Sequence, residues 1–367
     1  MYLTGIRLRN VGPFDDASIS FTDDQGQPRM TTVILGDSGS GKTALLSAIA
    51  CTRPGLAITP PRVREGVAAN DAFAVARYRL GDDDPARPHE LVVASPNAQL
   101  DEAPTDAAAR KREQAHFDRI AAERGFCLIP LSAARWAARV AASGASPERP
   151  ISAMDHRAHA TFDDAARADL AREVKHALVN AVTVAALSQF QARARADAEA
   201  KQVSVLPPPP SPARATAPFE LYRSTFQALL PDGEATYEGV DATSFEPQFR
   251  DQSGRIVPFD DLGFGVKNRI LLGAVILRRL ALAYPGRDPL ACEGIVLIDE
   301  IEAHLPQQRQ REILDVLRRA FPRLQLIVTT QSPWVVEGRP HDEVVVLSRD
   351  FDTGRIEINS GPRAVLH

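Results

Sequence analysis

The hydrophobic pattern predicts strands near both ends of the chain. Residues 1–35 alternate between apolar and polar positions and end in the apolar run TTVILG, as strands do. Residues 73–80 and 90–94 predict two strands of a hairpin around the acidic turn GDDDPARP. The apolar runs at 295–298 and 324–330 predict strands that are buried on both faces. EVVVL near residue 345 predicts a last strand.

Helical patterns fill most of the middle of the chain. They predict helices over about 105–124 and 155–203, near 219–230, from Val266 onward, and from Pro306 to Ala320. The proline-rich segment LPPPPSPARATAP, residues 206–218, cannot continue a helix or a central strand and predicts a stiff extended linker.

These elements predict an α/β core that is built from both ends of the chain and divided by an insertion. Residues 1–100 form its N-terminal lobe and residues 219–367 its C-terminal lobe. Residues 101–218 form a mostly helical insertion that ends in the proline-rich linker. The 367 residues are enough to bury a sizeable core.

Composition and charge change this picture little. The net charge of −4 provides no general attraction to nucleic acid, so such contacts would need a local basic patch. Only five of the 43 basic residues are lysines, so a lysine is a rare choice in this chain.

The cysteines and the hydropathy predict a reduced cytoplasmic protein. Cys51, Cys127 and Cys292 are odd in number, far apart and without a C-x-x-C pair, which favours neither disulfides nor a zinc site. The N-terminus lacks the apolar core of a signal peptide. The longest apolar segment is too short to span a bilayer, so we expect no membrane association.

The segment GDSGSGKT, residues 36–43, matches the phosphate-binding pattern G-x-x-x-x-G-K-[ST]. A buried strand precedes it and a helix follows, as the pattern requires. Its glycines let backbone amides surround phosphate oxygens at the positive end of the helix, its lysine reaches the β- and γ-phosphates, and its threonine hydroxyl can bind Mg²⁺. We therefore predict a nucleotide site formed by Gly36, Asp37, Ser38, Gly39, Ser40, Gly41, Lys42 and Thr43.

Two adjacent carboxylates end the apolar strand at 295–298. A phosphate-binding loop of this class needs an aspartate at the end of a second strand to hold Mg²⁺, and Asp299 fits that role. Glu300 then suits a general base that activates the attacking water. A strand that ends in a charged turn is common by itself. Together with the phosphate-binding loop, however, this one indicates a Mg²⁺–nucleotide site.

Motifs at both ends of the chain resemble ABC-type ATPase heads of the SMC/RecF/OLD branch. LTGIRLRNVGPFDDASISF is similar to the opening hairpin of that branch, and PFDDLGFGVKNRILLGAVIL lies where its signature and signature helix stand. LIDEIEAHL resembles its Walker B motif and D-loop, and LQLIVTTQSPWVV its switch strand. The combination is most similar to OLD-family and related anti-phage ATPases. The resemblance implies a P-loop NTPase with an ABC-type head and a helical insertion between the Walker A and signature regions.

The sequence departs from this family at three positions. Gly263 replaces the signature serine, so Gly265 and the following helix N-terminus would contact a γ-phosphate through backbone groups. Gln331 replaces the switch histidine and can orient a water but cannot accept its proton. Pro306 replaces a second histidine after His304 and Leu305. We expect slow hydrolysis, with His304 either near the γ-phosphate of a dimer site or a structural loop residue.

The resemblance implies that two copies bind ATP and Mg²⁺ between them and act as a switch or sensor in anti-phage defence or DNA maintenance. Because the chain ends at His367, soon after the last predicted strand, we expect the effector to be a separate protein. The ATP-bound dimer is also expected to bind duplex DNA through arginines of the insertion. The alternative is a nearly non-hydrolysing scaffold that uses ATP to assemble a complex. A transporter subunit is disfavoured by the degenerate signature and the large insertion.

Two further features are given structural roles. His156 and His159 have H-x-x-H spacing but no further ligand, which favours a surface helix over a metal site. Arg135 could reach a nucleotide or DNA, but a buried salt bridge is the favoured prediction.

Overall fold

The structure is a computed structural model. It describes residues 1–55, 58, 62–79, 90–98, 107–124, 126–135, 139–146, 169–200, 212–350 and 352–361.

A six-stranded sheet forms the centre of the fold. Its order is β13 (Ile356–Ser360), β12 (Val344–Arg349), β3 (Thr31–Gly36), β11 (Leu324–Thr330), β10 (Gly294–Ile298) and β6 (Leu128–Leu131). All neighbours are parallel except β12 and β13. Parallel strands are covered on both faces, which explains the continuous apolar runs of β10 and β11.

Alternate side chains of the central strands enter two different cores. Val296 and Ile298 of β10 belong to one cluster, whereas Ile295 and Leu297 belong to the other. This alternation is the period of two that every strand imposes. The sheet is therefore the middle layer of the molecule.

Two antiparallel sheets flank this layer. The first has the order β2 (Phe14–Ser20), β1 (Tyr2–Val11), β4 (Phe73–Arg79), β5 (Leu91–Ala94), and its apolar side chains join the core that contains Ile295. The second consists of β7 (Ala235–Val240), β8 (Pro247–Asp251) and β9 (Ile256–Pro258). The predicted hairpin at 73–94 is confirmed as the β4–β5 pair.

Seven α-helices lie in the described ranges. They are α1 (Lys42–Ala50), α2 (Ala107–Arg124), α3 (Leu170–Ala200), α4 (Pro212–Leu229), α5 (Phe264–Ala283), α6 (Gln307–Ala320) and α7 (Pro333–Val336). Residues of α1 and α2 pack into the core that contains Ile295, and residues of α3, α4, α5 and α6 into the opposite one. In the part of the chain that the structure describes, no helix is long and apolar enough to cross a membrane.

The prediction of an extended linker over 206–218 is wrong at its C-terminal end. Helix α4 begins at Pro212, a residue that suits a first helical turn because its missing N–H has no partner there anyway. Pro218 then lies inside the helix, where it removes one backbone hydrogen bond. Residues 206–211, His156 and His159 lie outside the described residues.

The range predicted as a mostly helical insertion also supplies a strand of the main sheet. Residues 128–131 form β6, which pairs in parallel with β10 and so lies beside the turn at residues 299–302, here called the acidic turn. Helix α3 carries Val174 and Leu178 into the same core as α5. Strand β6 and the N-terminal half of α3 therefore pack into the core of the fold.

The parallel register brings three loops together at the C-terminal ends of the central strands. Thr330 at the end of β11 pairs with Leu35 of β3, and Val328 pairs with Ile298 of β10. The loops that follow these strands begin at Asp37, Asp299 and Gln331. These strand ends are where open α/β sheets bind their ligands.

Candidate nucleotide site

The loop between β3 and α1 has a backbone that only glycine accommodates at Gly41. Its φ is +94°, and a Cβ there would lie 2.7 Å from Pro13 Cγ and 3.0 Å from Phe14 Cζ. The β1–β2 turn therefore packs directly against the loop. Helix α1 starts at the next residue, so its free amides face the loop.

Lys42 is buried within this loop. Its ammonium donates hydrogen bonds to the carbonyl oxygens of Gly36 at 2.7 Å and Asp37 at 2.8 Å. Burial lowers the pKa of Lys42, although the carboxylates of Asp299 and Glu300 oppose that shift. The loop thus holds a positive charge at its centre.

Asp299 joins the loop to the end of β10. Its side chain is 4% exposed and accepts hydrogen bonds from Thr43 Oγ1 at 2.8 Å and from Thr329 Oγ1 at 2.6 Å. The first contact connects residues that are 256 positions apart in the sequence. A buried carboxylate needs such partners, and the two threonines supply them.

Glu300 is held in a left-handed backbone conformation with φ +48°. For a residue with a Cβ this conformation costs about 1–2 kcal/mol. The Glu300 amide donates to Thr329 Oγ1 at 2.9 Å, and Gln331 Nε2 donates to Glu300 Oε1 at 3.1 Å. A second acid, Glu302, accepts from the Gln331 amide at 2.7 Å. Hydrogen bonds therefore hold the acidic turn against the end of β11 and the loop that follows it.

A cavity of about 460 Å³ opens between these groups. The predicted site residues Ser38, Gly39, Gly41, Lys42, Thr43, Glu300 and Gln331 line it. The rest of the lining was not predicted as part of the site and consists of Gly12, Pro13, Ala44, Arg62 and Val63. The amide of Gly12 donates to Arg62 O at 2.9 Å, which fixes this segment beside the loop. No motif marks residues 62 and 63, so only the fold could reveal them.

The donor set fits a nucleotide phosphate and Mg²⁺. Thr43 and Asp299 present two hard oxygen ligands in contact, and Mg²⁺ takes its other ligands from water and phosphate. Ser40 Oγ is buried and has no hydrogen-bond partner within the described residues, although Ser40 does not line the cavity. Those residues include no group of three or more His, Cys, Asp or Glu that could hold a metal. A site for Mg²⁺ beside a phosphate does not need one.

Two family profiles match this chain. Residues 139–337, more than half of the chain, match the family described as "AAA domain, putative AbiEii toxin, Type IV TA system". The chain belongs to this AAA-domain family. Residues 6–53, which include the phosphate-binding loop, match a second family described as "AAA domain".

Shorter similarities link this AAA-domain protein to curated relatives. "Retron Vc95 probable ATPase" from Vibrio cholerae serotype O1 biovar El Tor is 35% identical over 98 residues, which cover 26% of this chain and 19% of that protein. "Septu protein PtuA" from Bacillus mycoides (strain KBAB4) is 40% identical over 88 residues, covering 24% and 12%. The matched segments thus span less than a fifth of these relatives.

The whole fold is similar to that of a solved SMC head domain. The "SMC head domain from Thermotoga maritima" aligns with a TM-score of 0.51 and 14% identity, over 98% of this chain and 99% of that one. This confirms the predicted α/β class and shows that the chain has the fold of an SMC head domain.

The signature-like residues form a separate group in this AAA-domain protein. Gly263 precedes the first residue of α5, and Gly265 lies in its first turn. His304 also has a left-handed backbone, and its ring stacks 5.7 Å from that of Phe264. None of Gly263, Gly265 and His304 lines the cavity beside Lys42. The structure thus divides the predicted residues into a phosphate group and a signature group.

Arg135 corrects one sequence prediction. Its side chain is 2% exposed and donates to backbone oxygens: Ser132 O at 3.0 Å, Asp299 O at 2.5 Å and Glu300 O at 2.8 Å. Within the described residues it forms no ion pair with a carboxylate, so the predicted buried salt bridge is wrong. Burial lowers the pKa of its guanidinium to about 10, which still leaves it charged at neutral pH.

Proposed function

We propose that this protein binds and hydrolyses ATP at the cavity beside Lys42, and that ATP joins two copies into a dimer. In this proposal Lys42 and the backbone amides of residues 36–43 hold the β- and γ-phosphates. Thr43 and Asp299 hold Mg²⁺, and Glu300 is the general base. Gly263, Gly265 and His304 belong to the surface that meets the nucleotide of the other copy.

The contact between Thr43 Oγ1 and Asp299 Oδ2 carries the proposal. It joins the phosphate-binding loop after β3 to an acid at the end of β10, which β11 separates from β3 in the sheet, and Glu300 lines the cavity beside Lys42. Neither sequence motif alone requires this meeting. Together they place a phosphate cradle and a base along one cavity, and Asp299 lies behind the lining residue Thr43, in contact with it.

The residues divide the chemical work between them. Lys42 binds the phosphate charge, and Glu300 accepts the proton of the attacking water. When bound, Mg²⁺ neutralises the negative charge that spreads over the phosphate oxygens. Gln331 holds Glu300 through its amide and orients the water without accepting a proton.

Two features support slow hydrolysis. Gly263 offers no hydroxyl to a γ-phosphate, and Gln331 has no proton-accepting ring in place of a switch histidine. Both substitutions weaken groups that would act late in the reaction and leave the phosphate-binding loop intact. The alternative function is a scaffold that binds ATP, assembles a complex and scarcely hydrolyses the nucleotide.

Similarity to retron and Septu proteins supports a role in anti-phage defence with a second protein as effector. The nucleotide state of the dimer would then control that effector. A slow ATPase suits such a switch, because the ATP-bound state persists until it is consumed.

We also propose that the ATP-bound dimer binds duplex DNA through arginine side chains of the range 101–218. Arg193 lies exposed on the C-terminal half of α3, and Arg195 lies on the same half. Phosphate contacts release counterions, so such binding should weaken steeply with added salt. Fluorescence anisotropy at low salt that shows no ATP-dependent binding would remove this part and favour a protein partner.

Substitution of the base tests the hydrolytic function. Glu300→Gln keeps the shape and the backbone contacts of the residue but removes the base. We expect hydrolysis to fall at least about 100-fold while ATP still binds, since general base catalysis contributes that much. Glu123→Gln is the matched control, because Glu123 is exposed on α2. ATP binding without hydrolysis in the unaltered protein would favour the scaffold.

A further inference from the structure

Arg135 is a buried cation placed at the backbone of the acidic turn. It follows β6, the strand that pairs with β10, so the sheet itself brings its guanidinium to the end of β10. One nitrogen, Nη1, donates to Asp299 O at 2.5 Å, and the other, Nη2, donates to Glu300 O at 2.8 Å. The planar fork of arginine matches two adjacent carbonyl oxygens, and the single ammonium of a lysine does not.

The backbone that Arg135 holds is strained at a residue with a chemical role. Glu300 has φ +48°, a conformation that a side chain disfavours unless its surroundings impose it. The carbonyl oxygen of Glu300 accepts from Arg135 Nη2 and also from the Ala303 amide at 2.9 Å. On the opposite side, Thr329 Oγ1 accepts from the Glu300 amide. The turn is therefore clamped at both its carbonyl and amide groups.

The side chain of Arg135 is engaged away from the cavity. Its three hydrogen bonds within the described residues all go to backbone carbonyls, and Arg135 is absent from the lining of the cavity beside Lys42. Its charge lies close enough to Asp299, Glu300 and Glu302 to interact with all three. A residue with these contacts acts on a phosphate only through the acids whose backbone it fixes.

We infer that Arg135 is a positioning residue for hydrolysis: it fixes the left-handed turn that aims the Glu300 carboxylate at the attacking water. This inference rests on the proposed ATPase function and names a residue outside its motifs. It separates two steps, because ATP binding depends on the loop at 36–43 and hydrolysis depends on the turn.

Arg135→Lys should therefore reduce kcat and leave ATP affinity almost unchanged. Lysine keeps the charge but loses the two-pronged contact, so the turn is held less firmly. Misplacement of a reacting group by about 1 Å costs on the order of 100-fold, which sets the expected loss at about 10- to 100-fold. The Kd for ATP should stay within about threefold, since Lys42 and its loop are unchanged.

Arg318→Lys provides the matched control. Arg318 Nη1 donates to Leu324 O at 2.6 Å, and Nη2 donates to Pro322 O at 3.1 Å, so it too forks across backbone carbonyls. Leu324 begins β11, whereas the acidic turn follows the end of β10. The control thus makes the same chemical change at the opposite edge of the sheet, and kcat should stay within about twofold.

The deciding experiment repeats both substitutions in Glu300→Gln protein and measures single-turnover hydrolysis and ATP binding by calorimetry. If Arg135 acts through Glu300, Arg135→Lys costs less than about threefold once the base is gone. An equal loss in both backgrounds, or an unchanged kcat, would overturn the positioning role. Arg135→Gln, which keeps one donor, serves in the same way if the lysine variant does not bind ATP.

Comparison of the unaltered protein with Glu300→Gln distinguishes a failure of this inference from a failure of the proposed function. Hydrolysis by the unaltered protein and its loss in Glu300→Gln uphold the proposed function, whatever Arg135→Lys does. Equal hydrolysis in that pair overturns the proposed function, and the positioning role with it.

Discussion

Replacing Lys42 with alanine tests the phosphate-binding loop directly. The change removes a buried ammonium that donates to Gly36 O and Asp37 O and lies at the centre of the loop. A lysine about 4 Å from a phosphate charge gains about 4 kcal/mol at an effective dielectric constant near 20. Part of this binding free energy is offset, because Lys42 must loosen its hydrogen bonds to the two carbonyl oxygens when the phosphate binds. Each is worth about 1 kcal/mol.

The net loss on substitution is therefore about 2–3 kcal/mol. At 1.4 kcal/mol per tenfold, this corresponds to a Kd for ATP that is about 30- to 150-fold weaker. Isothermal titration calorimetry measures it, and a thermal melt of each protein verifies that the variant is folded. Lys111→Ala is the matched control, because Lys111 is exposed on α2. A folded Lys42→Ala protein whose Kd stays within about threefold of the parent would refute the assignment of the loop.

Three further changes test neighbouring parts of the account. Gly263→Ser should speed hydrolysis by about 10-fold, because its hydroxyl adds one hydrogen bond to phosphate. The serine fits without strain, since φ is −60° and a Cβ there meets no atom within 4 Å. Gly263→Ala is its control, and steady-state phosphate release shows the difference. Gln331→His should raise the rate about 10-fold and make it depend on pH near 6.5, which a pH–rate profile reveals; a flat profile would contradict it. Burial raises the pKa of Cys127 to about 12, so the folded state keeps a proton that the unfolded state loses above about pH 8.5. Stability should then fall with rising pH by up to about 1.4 kcal/mol per unit, and urea unfolding of Cys127→Ala between pH 8.5 and 10 should show a flatter dependence.

Continuous apolar runs and a spaced motif allowed the core of the site to be predicted from sequence. TTVILG and GIVLI read as buried strands because parallel strands lack a polar face, and the loops after them carry the chemistry. The phosphate-binding loop has fixed spacing because its backbone must curl around a phosphate. The positions of residues 36–43, Asp299 and Glu300 follow from these local patterns.

Other parts depended on contacts that local patterns do not encode. Strand β6 has only four residues, and pairing with β10 makes it part of the sheet. The helix that begins at Pro212 contradicted the local preference of its prolines, as tertiary packing of α4 against the core overrides propensity. The role of Arg135 could not be predicted from local patterns, because its partner, the backbone of Glu300, lies 165 residues away in the sequence.

The central claim is that ATP joins two copies of this head and that Glu300 ends the joined state by hydrolysis. Light scattering with ATP and Mg²⁺ on Glu300→Gln and Asp299→Asn tests it most directly. We predict that Glu300→Gln accumulates as a dimer with trapped ATP, whereas Asp299→Asn, which disturbs Mg²⁺ binding, traps far less dimer. A Glu300→Gln protein that stays monomeric with ATP bound would contradict the account.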